Sequence, residues 1–284
     1  MVKKTKRGGM KTRTTIIQII LLIAAFSMAA EAREPQKPLS QVPEAQKLID
    51  QAWAGVDQEM SLKMIDQAIA LEAKAVALDP KNADLLAELA DEYWQRGDLM
   101  PKKNDADFDA RNGYFLKGLD NAKKSMALKE TAAGHYWTAT NLASTDENAN
   151  ILKQASIFLE VSRHMDWIDA NAKGYKYGGT ARFWSEVTTR VPGVLIKIVG
   201  KDPNENYQNL ENAIKTQPGF LQNYRYKANF QHHQGKTEDA LKTLDQMLKM
   251  DPNAFPPERA YNQFDQGRGR ELWKEWTGKD YPQR

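Results

Sequence analysis

The sequence predicts an all-α protein assembled as a stacked array of antiparallel helix pairs, an α-solenoid. Three observations carry that expectation. From Pro43 onward the apolar residues recur at helical spacing, and long period-two alternation is absent. Hydrophobic residues at 41% and charged residues at 27% of 284 positions are near ordinary globular usage, so the chain can bury a core. Turn and stop signals recur at a fixed distance, with Pro80 and Gly97 separated by 17 residues and Gly235 and Pro252 by another 17.

Ahead of the helical region lies a targeting segment. Lys3, Lys4, Lys6, Arg7, Lys11 and Arg13 form a basic start, and Ile16 to Phe26 is apolar apart from Gln18. Ala30-Glu31-Ala32 supplies the small-x-small pattern of a signal-peptidase site, so residues 1–32 are expected to be a signal peptide removed before Arg33. The apolar run falls short of the roughly 20 residues that a comfortable bilayer crossing takes, which places an uncleaved anchor second. Met10 as the start would shorten the basic region and keep the signal. Six basic residues and Glu31 give this segment +5, so the total of +3 leaves −2 for the mature chain. That charge calls for no nucleic-acid partner and no stable membrane insertion after cleavage. The chain has no cysteine, which excludes disulfides, thiolate metal sites, a cysteine nucleophile and a lipidated N-terminus. A periplasmic or secreted location follows as the expectation.

Residues 33–43, with Pro35 and Pro38, are expected to form an extended linker, and 44–284 the helical domain. Helices are expected at about 44–57, 60–78, 83–96, 107–128, 133–143, 149–165, 181–190 and 203–216. A further helical stretch covers about 220–250, broken at Gly235, and an irregular helix follows Pro257. The helix at 203 has a clear start: Asp202 at the cap, Pro203 at the first position and Glu205 at the third. Gly267 and Gly269 each cost about 1 kcal/mol relative to Ala inside a helix, so the last helix is expected to be interrupted.

The two 17-residue spacings sum to the 34-residue tetratricopeptide period. Small residues at Ala68, Ala90, Ala228 and Ala240 allow close helix approach, while Leu86, Leu89, Tyr93, Tyr224 and Leu244 fill the space between pairs. Gly97 and Gly235 are assigned to tight turns, and Pro80 and Pro252 to helix ends. LDPKNADLLAELADEYWQRGD (78–98) and EDALKTLDQMLKMDP (238–252) resemble the tetratricopeptide superfamily. Glu72 and Lys227 depart from it, standing where a large apolar residue and Leu are expected.

A narrower resemblance covers the mature region. HYWTATNLA (135–143), YGGTARFW (177–184), RVPG (190–193), KDPNENYQNLENAI (201–214), QPGFLQNYRYKANF (217–230) and PPERAYNQ (256–263) occur in that order. Their order and spacing are similar to the T-component of tripartite ATP-independent periplasmic (TRAP) transporters. The resemblance implies a tetratricopeptide-like helical protein that associates with a periplasmic substrate-binding protein. Gly267, Gly269 and the missing cysteine depart from that pattern.

No reaction can be argued from the residues. His232 and His233 point about 100° apart on a helix, and no cysteine completes a zinc set, so the four histidines are read as exposed or hydrogen-bonding rather than as metal ligands. Asp105, Asp107 and Asp109 lack the glycine and glutamate of a calcium loop and are read as a solvated loop. Gly178-Gly179 before Arg182 is the best small-ligand candidate, an anion cradle, against the simpler reading of a turn. No hydrolase elbow or nucleotide loop occurs. No cofactor, metal or catalytic residue is therefore assigned.

A non-enzymatic binding role is expected, toward a protein partner or peptide, with a small ligand as a further possibility. In tetratricopeptide arrays the first helix of each pair lines the concave side. With Leu86 and Tyr224 packed inward, helical geometry puts Asp91, Trp94 and Gln95 on that face, with Arg225, Asn229 and His232 equivalent in the later repeat. Asn141 and Arg182 are added by position. The alternatives are a general periplasmic scaffold for envelope complex assembly and an enzyme or metal protein on a helical frame. Sequencing the N-terminus of protein purified from its native host should return Arg33 as the first residue. Intact chain recovered from the cytoplasm would overturn the export assignment.

Overall fold

The computed structural model describes residues 38–145, 151–190, 196–197 and 200–282, of which 151–155 and 190 are described as backbone alone. The predicted signal segment and most of RVPG lie outside the described residues. Among the described residues there is no strand, and eleven α-helices follow one another. They are α1 Pro43–Val56, α2 Leu62–Leu78, α3 Ala83–Asp98, α4 Asp105–Leu128, α5 Ala132–Ser144, α6 Ile151–Asn171 and α7 Tyr175–Arg190. Then come α8 Pro203–Thr216, α9 Leu221–His233, α10 Thr237–Lys249, the 3-10 turn Pro256–Glu258 and α11 Arg259–Thr277.

Local chemistry sets most of the starts. Ser61, Asn82, Asn104, Thr131 and Asp202 each accept a hydrogen bond from a backbone N–H in the first turn that follows, replacing the partner a helix start lacks. Asp105 and Asp107 fall in the first turn of α4, where carboxylates oppose the positive end of the helix dipole, so this acidic run begins a helix rather than filling a loop. The end of the expected linker is tied down. Ser40 Oγ donates to Asp79 (2.6 Å), and Asn82 Nδ2 donates to the Leu39 carbonyl (2.8 Å).

Five antiparallel pairs result, α1/α2, α3/α4, α5/α6, α7/α8 and α9/α10, in a tetratricopeptide-like array. Ala68, Ala90, Ala228 and Ala240 are all buried, as close helix contact requires. The 34-residue period does not persist, however. First helices start at Pro43, Ala83, Ala132, Tyr175 and Leu221, because α4 and α6 extend to 24 and 21 residues. Gly97 is not a turn residue. It lies inside α3, where a Cβ would stand 2.5 Å from the Phe115 ring, so glycine lets α4 approach. Gly235, at φ +75°, does make the turn between α9 and α10. A core from Ala90, Trp94, Phe115, Trp137, Met165, Phe183 and Trp184 joins α3 through α7.

The last helix is continuous over 19 residues, contrary to the interruption expected at Gly267 and Gly269. A Cβ on Gly269 would lie 2.3 Å from Met247 Cε, so this glycine permits close packing on α10. Gly267 has open space around it. Two substitutions separate these roles. Gly267→Ala should stabilise the protein by about 0.5–1 kcal/mol through helix propensity. Gly118→Ala should cost about 1–3 kcal/mol, because its Cβ would stand 2.1 Å from the buried Asn141 Oδ1. Urea denaturation of both variants checks the pair.

Candidate functional site

The first helices do turn charged and amide side chains to one inner face, but that face is not open. Helix α11 runs back across it. Its Tyr261 hydroxyl accepts from Gln95 Nε2 of α3 (2.7 Å), its Arg268 pairs with Asp98 (2.6 Å), and its Asp265 pairs with Arg225 of α9 (2.6 Å). Arg259 donates to the Asp57 carbonyl after α1 (2.9 Å), which links the last helix to the first. The apolar C-terminal half of α11, through Leu272, Trp273 and Trp276, packs on Tyr224, Leu244, Met247 and Leu248.

A strained turn feeds this interior. Lys176 and Tyr177 have φ of 51° and 55°, and Gly178 follows at 99°, so three consecutive residues are left-handed. Non-glycine residues there cost on the order of 1–3 kcal/mol each and persist only where the surroundings hold them. Arg182 supplies that hold. Its guanidinium donates to the carbonyls of Lys176 (2.6 Å) and Tyr177 (3.2 Å) and to Asn223 Oδ1 (2.6 Å), while Asn223 Nδ2 also donates to the Tyr177 carbonyl (3.0 Å). The glycine pair with Arg182 is thus a pinned turn, with the guanidinium directed at protein carbonyls. The turn delivers the buried Lys176 ammonium to Asp91 Oδ2 (3.5 Å) and to the Trp137 ring face (5.2 Å).

Burial dominates the electrostatics. It pushes Glu258 well above the ordinary glutamate range, and Lys176 and Arg182 counter this only in part. It lowers Arg182 to about 9 and raises Tyr226 to about 12. Burial would lower Arg225 as well, but the Asp265 carboxylate outweighs it and holds that guanidinium above its ordinary value.

Of the eight residues assigned to an accessible binding face, Asp91, Trp94, Gln95, Asn141, Arg182 and Arg225 are buried, while Asn229 and His232 are half-buried. Trp94 is fully buried, donates to Ser144 Oγ (3.0 Å) and packs near Trp137, so it belongs to the core between pairs. Asn141 is also fully buried and donates to the Ala90 and Trp137 carbonyls (3.2 and 2.9 Å). His232 stacks on Trp276 (4.1 Å) at the far end of α9. Asn229 donates to Glu186 Oε2 (3.1 Å). Asp91, Gln95, Arg182 and Arg225 do come together in the interior, joined to one another through α11 and the strained turn. The helical-wheel argument grouped Asp91 and Gln95 on α3 and Arg225 on α9, and Arg182 entered by position alone. The wheel could not see that α11 covers these residues, because the covering contacts span up to 202 residues of sequence.

Lys176, Asn223, Glu258, Tyr261 and Asp265 were missed as members of the cluster. Four of the five stood within or beside segments already singled out, YGGTARFW, QPGFLQNYRYKANF and PPERAYNQ. Glu72, where the repeat pattern expects an apolar residue, is fully buried with its carboxylate near those of Glu88 and Glu92. Lys227 meets Glu211 of α8 (2.9 Å).

No family model matches the chain, and no curated protein matches it. Among solved structures, the crystal structure of the MamA protein is similar, with a TM-score of 0.37 and 14% identity over 83% of this chain and 99% of that one.

Two variants test the reassignment. Trp94→Ala should cost about 3–5 kcal/mol of stability, as expected for a fully buried tryptophan, so loss of partner binding in it would carry no information about contact. Glu258→Gln should stabilise the protein at neutral pH. A carboxyl raised in the folded state binds its proton more tightly there than in the unfolded chain. Its penalty is therefore absent in acid and grows as pH rises above the unfolded value near 4.5. Denaturation at pH 4 and pH 8 should show the gain only at the higher pH. A loss at pH 8 would mean that an ionised Glu258 is held by Lys176 and Arg182.

Proposed function

We propose that the protein is an exported, non-enzymatic adaptor that binds a protein partner, and that its partner is a periplasmic substrate-binding protein, as for a TRAP-transporter T-component. The observation that carries this reading is the convergence of the singled-out segments on one interior face of a helix-pair array. YGGTARFW provides the strained turn and Arg182, QPGFLQNYRYKANF provides Asn223 and Arg225, and PPERAYNQ provides Glu258 and Tyr261. Helix-pair arrays present extended surfaces suited to protein recognition. The basic start, the apolar run and Ala30-Glu31-Ala32 support export. Among the described residues no helix is long and apolar enough to cross a membrane.

The scaffold reading, assembly of an envelope complex without transport, uses the same fold and differs in its partner. Affinity purification of the full chain from its native host, with crosslinking and mass spectrometry, distinguishes the two. A single substrate-binding protein recovered at stoichiometric level is the expected result. Recovery of envelope-assembly proteins instead would favour the scaffold, and absence of any stoichiometric partner would remove both.

A further inference from the structure

Away from the interior face, α5 and α6 bring together two histidines that lie 29 residues apart. His135 Nδ1 and His164 Nδ1 are 2.9 Å from one another. His135 is buried and its ring is stacked flat on Trp167, 4.0 Å between centroids and 8° between planes. Its other nitrogen, Nε2, lies 3.1 Å from the Glu130 carboxylate at the end of the α4–α5 connection. A carboxylate only accepts, so Nε2 carries the proton and the lone pair of His135 is on Nδ1, facing His164. His164 is half-buried, which leaves one side of the pair open to solvent.

We propose that His135 and His164 form a binding site for a divalent transition-metal ion, with Cu²⁺ and Ni²⁺ preferred to Zn²⁺. Two nitrogens at the usual bond length of about 2.0–2.1 Å from one ion are about 2.8–3.0 Å apart at a right angle and about 3.3–3.4 Å apart at a tetrahedral angle. The observed 2.9 Å is the length of the hydrogen bond between the two rings, and it falls within the separation that a right-angled pair of ligands needs in square-planar and tetragonal Cu²⁺ and Ni²⁺ sites. Glu130 completes the carboxylate–histidine–metal arrangement that fixes the tautomer and orientation of ligating imidazoles. In the metal-free protein His164 donates its Nδ1 proton to His135. On binding, that proton moves to His164 Nε2, both Nδ1 lone pairs face the ion, and both rings remain neutral. Water fills the remaining positions. Glu160 lies one turn before His164 on α6 and pairs with Lys123 at 3.8 Å, so its charge offsets part of the nearby positive charge. Lys123 and Arg163 add positive charge nearby and set a limit on affinity.

The sequence offered no such site, because it placed only His232 and His233 near one another, and those diverge. Calorimetric titration of the full chain with CuCl₂, NiCl₂ and ZnCl₂ tests the proposal. One Cu²⁺ per chain should bind in the micromolar range or tighter, and more tightly than Zn²⁺. His164→Gln should abolish that site, while His232→Gln/His233→Gln should leave it intact. Glu130→Gln keeps both ligands and should weaken binding about 10–100-fold. Electron paramagnetic resonance of the Cu²⁺ form should show coupling to two imidazole nitrogens. Binding no tighter than millimolar, or binding unchanged in His164→Gln with its circular dichroism intact, would overturn the site.

Discussion

The structure depends on how an array of helix pairs covers its own inner side. Helices α3, α7 and α9 contribute polar groups to that side, and burying a charged group without a partner costs several kcal/mol. Here the cover is α11, and its sequence is complementary to what it covers. Asp265 meets Arg225, Arg268 meets Asp98, and Tyr261 meets Gln95. The apolar half of the same helix is anchored on α9 and α10. One helix therefore has two kinds of contact along its length, a polar N-terminal part that lies on the inner side and an apolar C-terminal part that anchors it. Such polar contacts add less net stability than apolar burial of equal volume, but they penalise any other placement of the helix.

That arrangement explains the strained turn. Lys176 is the second residue of α7. The left-handed run at Lys176, Tyr177 and Gly178 redirects it toward Asp91, and Arg182 stabilises the turn by bonding the carbonyls that the run exposes. The glycine at 178 is required twice over. Its φ is positive, and a Cβ there would stand 2.5 Å from Ala213 of α8. Arg182 in turn is oriented by Asn223, which also bonds Tyr177. The turn, α8 and α9 are thus held as one unit.

Much of the fold was legible in the sequence because it is encoded locally. The cap at Asp202, the small residues Ala90 and Ala228, and the glycine turn at 235 all act within one helix or one pair, and each was placed correctly. What could not be read was whatever depends on a distant neighbour. Gly97 and Gly269 look like helix breakers in a linear reading, and are close-approach positions against Phe115 and Met247. Trp94 looks like an exposed anchor on a helical wheel, and is covered from α5. The interior cluster was legible only in part for the same reason: a helical wheel groups Asp91 with Gln95 but cannot supply α11, whose Tyr261 and Asp265 meet Gln95 and Arg225.

The division of α11 into an apolar anchor and a polar insert limits how anything could engage the inner face. A groove lined by charges and amides exchanges partners at low cost only if every group released finds an equivalent. Tyr261 against Gln95 and Asp265 against Arg225 are buried on both sides, and Arg268 against Asp98 is buried on the Asp98 side. Removing α11 from any of them would leave a buried polar or charged group uncompensated. A partner that engages this face would have to replace those contacts or leave α11 in place.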